Sequence, residues 1–211
     1  MKNISKEDIR SLSKIERLNL VNSCTGYKSA NLIGTISNEG KYNLAIFSSI
    51  THLGSDPAML GFILRPTTVP RHTYQNFKRQ NYCSVNAIPE SIIKSAHQTS
   101  AKYPKNVSEF EAVNIEKEIK ENINVPFVKN SPLQLLCKFQ NEYEIAENNT
   151  LLIVASIEQI FVEEAMLTED YWIRLDKGKV VSINGLDGYS SNRLIDRFSY
   201  ARPNQIPQSK K

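Results

Sequence analysis

Apolar and polar residues alternate in steps of two over much of this chain, and helical spacing appears only in short stretches. Ala30 to Ser37 has the β-type pattern and stops at Asn38-Glu39-Gly40, a turn signal. Tyr42 to Ile50 is therefore expected to return as the second strand of a hairpin. Asp56-Pro57 breaks the chain, and Met59 to Leu64 is an apolar run ending at Arg65-Pro66, as a buried strand with a sharp exit would. Tyr82 to Ile88, Leu133 to Tyr143 and Thr150 to Glu163 read as further strands, the last with Leu152, Val154, Ile157 and Ile160 as core candidates. Shorter strand-like runs cover Trp172 to Leu175 and Lys179 to Ile183, before a turn cluster from Gly185 to Gly188.

The helical segments are brief. Ser5-x-x-Asp8 is a capping pattern and predicts a leading helix to about Leu12. Thr73 to Gln80, Glu90 to Ala101 and Ser108 to Val113 follow, with Ile92, Ile93 and Ala96 on one face of the second. Tyr103-Pro104-Lys105-Asn106 is a loop, and Asn192 to Phe198 is expected to form a last helical turn. No repeat, low-complexity tract or linker divides the chain. The pattern predicts a mainly β protein with short helices, a Greek-key barrel rather than a parallel α/β sheet. One domain spans residues 1–211, with 1–25 as a helical extension and 204–211 as a flexible tail.

Composition narrows the function classes. The chain has 211 residues, and its 26 Lys and Arg against 22 Asp and Glu leave it only mildly basic. Two of those charges are Lys210 and Lys211, and no basic stripe or reader motif points to nucleic acid. Cys24, Cys83 and Cys137 are far apart and odd in number, which suits ordinary thiols better than a disulfide framework or a metal site. The polar start, Met1 to Asp8, is no secretory signal, and the longest apolar run, Leu151 to Ala155, is too short to span a bilayer. A cytoplasmic protein is expected. Gly-x-Gly-x-x-Gly, Walker, His-Glu-x-x-His and Gly-x-Ser-x-Gly patterns are all absent.

Candidate chemistry concentrates between Asn43 and Phe77. Ser48 and Ser49 end one strand and offer hydroxyls and N–H groups to a ligand or to their own backbone. Arg65 follows another strand, where a forked guanidinium suits a phosphate. Thr73 stands near a helix start, whose free N–H groups favour an anion, with Arg71 and His72 beside it. His72 either donates to such an anion or caps the helix. Ile46 and Phe47 point to opposite sides of their strand, so one is expected to face the core and the other a ligand. His97 is either a substrate-orienting group or an exposed helical histidine, and His52 is read as structural.

The order and spacing of Asn43-Leu-Ala-Ile-Phe-Ser-Ser49, Asp56-Pro57, Gly61-Phe-Ile-Leu-Arg-Pro66 and Arg71-His-Thr-Tyr-Gln-Asn-Phe77 resemble the flavin reductase-like family. The resemblance continues through Ala101-Lys-Tyr-Pro104, Ser108-Glu-Phe110, Pro126 and Arg202-Pro203, and so covers Gly26 to Pro203. It implies a split β-barrel carrying FMN rather than FAD, with Asn43, Ser48, Ser49, Thr73 and Asn76 among the contacts. The chain departs from the family's common Lys-Asp-Thr at Arg71 and His72, and Phe77 replaces an isoleucine. The resemblance further implies NAD(P)H as co-substrate, stacked over the flavin, and a homodimer in which Tyr189 and Arg202 reach across the interface. The activity expected is that of an FMN-dependent NAD(P)H:flavin oxidoreductase. The alternatives are an FMN-binding electron carrier or sensor without a nicotinamide site, and a basic-surface binding protein on the same scaffold.

Overall fold

The computed structural model describes residues 1–210. Two helices lead, α1 (Lys6–Ser11) and α2 (Lys14–Ser23), followed by strands β1 (Lys28–Ser29), β2 (Asn31–Ile36), β3 (Tyr42–Phe47), β4 (Thr51–Ser55) and β5 (Ala58–Leu64). Helix α3 (His72–Gln80) leads into β6 (Tyr82–Ala87), then come α4 (Ile93–Gln98) and α5 (Glu109–Ala112). The second half holds β7 (Lys117–Ile119), β8 (Pro126–Val128), the long pair β9 (Leu133–Ile145) and β10 (Thr150–Val162), and a closing hairpin of β11 (Val181–Asn184) and β12 (Gly188–Ser191).

Seven strands form one antiparallel sheet in the order β3-β2-β6-β9-β10-β5-β4, with a three-stranded sheet β1-β11-β12 and the pair β7-β8 beside it. The fold is the mainly β barrel that the alternation predicts, with the split that the resemblance implies. Its large sheet curls until β3 approaches β5, but no backbone ladder joins those two strands among the described residues. Side chains cross the opening instead. The Phe47 ring meets Phe62 edge-on at 5.2 Å. The Ser49 hydroxyl donates to the Ile63 carbonyl at 3.2 Å and accepts from the Ile63 N–H at 3.1 Å. This opening between β3 and β5 is the split.

Two main cores lie on opposite faces of the sheet, as period-two alternation requires. Inside the barrel, Ile33, Phe62, Leu64, Val85 and Ile153 surround Phe77 of α3. On the other face, Leu32 and Leu44 pack with Ala96 of α4, Phe110 of α5 and Val181 and Ile183 of β11. Gly34 on β2 is required by close approach: the Pro126 carbonyl and Ser84 occupy the space a Cβ would need.

The leading helix stands where the Ser5-x-x-Asp8 cap puts it, ending at Leu12, and a second helix, α2, follows with its own capping box of Ser13 and Glu16. Other expectations are corrected. Glu90 to Ala101 holds a 3-10 turn, Glu90–Ile92, and only then α4. Trp172 to Leu175 is not a strand; a single bridge joins Leu167 and Ile173. Asn192 to Phe198 is not helical, because Asn192 extends the final hairpin by donating to the Val180 carbonyl and accepting from the Ser182 hydroxyl. In β10 the inward set is Ile153, Ala155 and Ile157. Leu152, expected in the core, alternates to the outer face, and Ile160 stands 54% exposed. The end of the chain folds back, with Lys210 donating to the Arg197 carbonyl and Ser199 to that of Gln208.

Candidate functional site

At the split the end of β3 faces the end of β5, and the loop after β5 leads to the start of α3, which is tied to the beginning of β3 through Asn43. The loop runs from Arg65 to Arg71 and contains Pro66 and Pro70, which limit its backbone. Arg71 closes it on itself, donating from Nε and Nη2 to the Pro66 carbonyl at 3.2 and 3.1 Å. The Arg65 guanidinium is exposed, with no hydrogen bond or ion pair to any described residue. A cleft of about 240 Å³ lies along this loop, lined by Thr67, Thr68, Val69, Pro70, Arg71, Tyr74 and Gln75.

Helix α3 opens here without a side-chain cap and without an acid in its first turn. Its leading N–H groups therefore have no carboxylate or hydroxyl assigned to them, and Arg71 stands at the N-cap position. That is the donor set of an anion site, and phosphate fits its charge and geometry. Thr73, in the first turn, is buried and accepts a hydrogen bond from Asn43 Nδ2 of β3 at 2.9 Å. Asn76, one turn on, donates to Thr35 Oγ1 of β2 at 3.2 Å. Both bonds fix α3 over the sheet and so aim its N-terminus. Asn43 is therefore spent on Thr73 rather than standing open.

On the opposite flank of α3, His72 lines a narrow crevice with Lys41, Tyr42, Asn43, Asn76 and Lys105. Behind it lies Glu109, a buried carboxylate whose Oε2 accepts the Leu44 N–H at 3.0 Å. Burial pushes the Glu109 carboxyl up, against the downward pull of that N–H and of the charge on His72. At the rim, Lys105 pairs with Glu39 at 3.0 Å, which holds the Glu39 carboxyl down to about 2.

Ile46 and Phe47 point to opposite sides of β3, as alternation requires. Ile46 packs on the cluster around Leu44, Phe47 on the cluster around Phe62, and both stay half-buried. Ser48 is half-buried at the mouth of the split, and the Ser49 hydroxyl is occupied by the backbone of Ile63. The sequence-derived residues thus fall into three groups: Phe47, Ser48 and Ser49 at the split, Arg71 along the loop cleft, and Asn43, His72 and Asn76 around the crevice on the other flank of α3. His97 and Tyr189 form a separate pair: Nδ1 and the hydroxyl lie 3.1 Å apart and the rings meet edge-on. Burial, with Asp187 adding to it, pushes the Tyr189 hydroxyl up to about 12. Arg202 is exposed near the end of the chain, and His52 stands exposed on β4.

Three features near the site escaped the sequence reading. Thr67 and Thr68 are a hydroxyl pair inside a proline-bounded loop between two arginines, a signal that was readable. Glu109 sits in the Ser108-Glu-Phe110 pattern, but only the fold reveals that its carboxylate reaches β3. Phe62, the ring opposite Phe47, gave no local sign of that pairing. Cys83 and Cys137 lie directly opposite each other on β6 and β9, both buried, and burial pushes the Cys83 thiol up. Among the described residues no group of three or more His, Cys, Asp or Glu is placed to hold a metal ion. Among those residues no helix is long and apolar enough to cross a membrane.

The family model described as the flavin reductase like domain matches residues 27–200. Among solved structures, the chain is similar to a protein of Shewanella frigidimarina assigned as a flavin reductase with a split barrel domain. The TM-score is 0.92 at 38% identity, covering 95% of this chain and 100% of that one. It also shares its fold with the 2-nitrobenzoate 2-nitroreductase of Pseudomonas fluorescens, at a TM-score of 0.78 and 20% identity, covering 98% and 99% of the two chains. A protein of Aquifex aeolicus with no assigned function is 23% identical over 147 residues, 69% of this chain and 74% of that one.

Proposed function

The chain belongs to the flavin reductase like domain family, and from that premise we propose that it binds FMN at the split and takes hydride from NADH or NADPH. The family makes it a flavin-related oxidoreductase; the cofactor, the donor and the residues are the proposal. The observation that carries it is the uncapped N-terminus of α3 with Arg71 at its start, since a phosphate-bearing flavin is the family ligand that such a donor set fits.

FMN, when bound, supplies a ring that accepts hydride and passes electrons onward. This chain's residues do the holding. Arg65 offers two parallel donors to the phosphate, joined by the first-turn N–H groups of α3 and the hydroxyls of Thr67 and Thr68. Arg71 keeps the loop closed through Pro66 and adds positive charge. Asn43 and Asn76 fix the helix that presents those N–H groups. Ser48 provides a polar contact at the mouth of the split, while Ser49 ties that mouth to Ile63. Phe47, backed by the buried Phe62 ring, supplies an apolar wall that keeps water from one side. No acid–base group is demanded of the protein for hydride transfer between stacked rings, so positioning is its main contribution. The working unit is a homodimer.

The test is an absorbance spectrum of the purified full chain, repeated anaerobically with NADH and with NADPH. Flavin bands that bleach with either nucleotide support the reductase reading and name the donor. Bands that persist with both replace it by the electron-carrier reading. A chain that neither carries nor takes up flavin overturns the proposal.

A further inference from the structure

The phosphate reading uses only part of the cleft beside the loop from Arg65 to Arg71. Thr67 and Thr68 belong to that reading, whereas Val69, Pro70, Tyr74 and Gln75, which line the rest, have no part in it. The cleft measures about 240 Å³. That is several times the roughly 30 Å³ share of a liquid water and close to the roughly 300 Å³ at which small-molecule sites begin, so a phosphate alone does not fill it.

The unused wall has a defined chemistry. Val69 stands 49% exposed next to Pro70, an apolar pair held out at the surface. Tyr74 packs on the barrel core and also lines the cleft. Its ring is fixed at the hydroxyl end, which donates to Glu142 Oε2 at 2.9 Å and accepts from Lys78 Nζ at 3.2 Å. Those two charges pair with each other at 2.6 Å. Gln75 is exposed; its backbone N–H is given to the Arg71 carbonyl, and its side-chain amide has no hydrogen-bond partner among the described residues. Arg71 spends Nε and Nη2 on the Pro66 carbonyl, which leaves Nη1 without a described partner. No acid is among the described residues that line the cleft.

We propose that this cleft is a subsite for an adenosine phosphate, with the base against Tyr74, Val69 and Pro70, its edge read by the Gln75 amide, and its phosphate toward Arg71. The inference rests on the flavin reading above, since it extends the ligand held at the start of α3. Adenine is the base that this wall fits. Its flat face stacks on an aromatic ring. Its N6 amino group and N7 present one donor and one acceptor, which a glutamine amide meets with one acceptor and one donor. Guanine offers two acceptors on the same edge and is not matched. A ring already held by Glu142 and Lys78 also loses little freedom when a base is laid on it. Adenosine phosphate reaches such a subsite from one of two sources, the nicotinamide donor or FAD bound in place of FMN.

The test is calorimetric titration of the full chain with AMP, GMP and inorganic phosphate, on the wild type and on Gln75→Leu. Gln75 is exposed on α3, and a thermal melt checks that the variant is folded. AMP is expected to bind at least about tenfold more tightly than phosphate, through stacking on Tyr74. It is expected to bind about tenfold more tightly than GMP, a preference that Gln75→Leu abolishes. AMP no tighter than phosphate, or a preference over GMP that is absent or survives Gln75→Leu, overturns the subsite. Titrations with FMN and FAD, and steady-state oxidation of NADH and NADPH, then identify the source. FAD tighter than FMN by about tenfold in the wild type but not in Gln75→Leu assigns the adenylate to the flavin. Equal flavin affinities, with a nicotinamide KM raised about tenfold and kcat unchanged in Gln75→Leu, assign it to the donor. If neither differs, the cleft has no place in the flavin reaction and the inference fails. A chain that takes up FMN and shows no AMP selectivity overturns the subsite alone, whereas one that takes up no flavin overturns the flavin reading itself.

Discussion

Helices α2 and α3 begin in opposite ways. At α2 the Ser13 hydroxyl accepts the Glu16 N–H at 3.3 Å and the Glu16 carboxylate accepts the Ser13 N–H at 3.0 Å, so the helix end is satisfied by its own residues. Helix α1 repeats the device with Ser5 and Asp8. Helix α3 starts at Arg71, which makes no capping bond, and has no acid in its first turn. The capped ends lie on the exposed extension, whereas the open end follows the proline-bounded loop, with Arg71 at its start. Open donors beside a guanidinium suit an anion, which is why the proposal puts the phosphate there.

The sharpest way to break this contrast is to give α3 the kind of start that α2 has. Arg71→Asp places a capping carboxylate where the proposal puts phosphate. FMN affinity should fall by at least about a hundredfold, near the 3 kcal/mol upper range for a charged hydrogen bond. Stability should change little, because a cap gain of about 1 kcal/mol offsets the lost bonds to Pro66. Isothermal titration with FMN and a thermal melt check both halves. Next in size, Thr73→Ala leaves the buried Asn43 amide without its acceptor. It should cost about 1–3 kcal/mol in stability and weaken FMN comparably, with Thr73→Ser restoring both. An unchanged FMN dissociation constant would remove Thr73 from the site. Smaller again, Ser13→Ala should cost about 1 kcal/mol of local α2 stability, seen by hydrogen exchange, and leave FMN affinity untouched.

The last change sharpens the comparison through pH. Burial raises the Glu109 carboxyl above its unfolded value, so the folded state holds a proton that the unfolded state releases. Stability from this group is full below the ordinary glutamate range and declines as pH rises from there through the raised folded value. Glu109→Gln keeps an acceptor for the Leu44 N–H and should flatten that part of the stability profile, read from denaturant unfolding at several pH values.

The barrel was largely readable in the chain because alternation and turn residues carry it. Asn38-Glu39-Gly40 sets the β2–β3 hairpin and Arg65-Pro66 ends β5, both close to where the pattern put them. What failed is instructive. Leu152 and Ile153 are equally apolar neighbours, and only the register against Ile63 and Phe62 decides which faces inward. Asn192 to Phe198 has helical composition, but a cross-strand amide outweighs it. At the site, residue types near strand ends were legible, whereas the partners were not. That Asn43 serves Thr73, that Ser49 is held by Ile63 and that Glu109 reaches Leu44 all depend on contacts distant in sequence.

The central claim is that the open start of α3 takes the phosphate of a flavin. Titrating the full chain with FMN and, in parallel, with riboflavin tests it most directly, since the two ligands differ only in that phosphate. FMN should bind more tightly by about a hundredfold, the worth of two or so charge-assisted hydrogen bonds. Equal affinity for the two would place the flavin, or its phosphate, somewhere other than the N-terminus of α3.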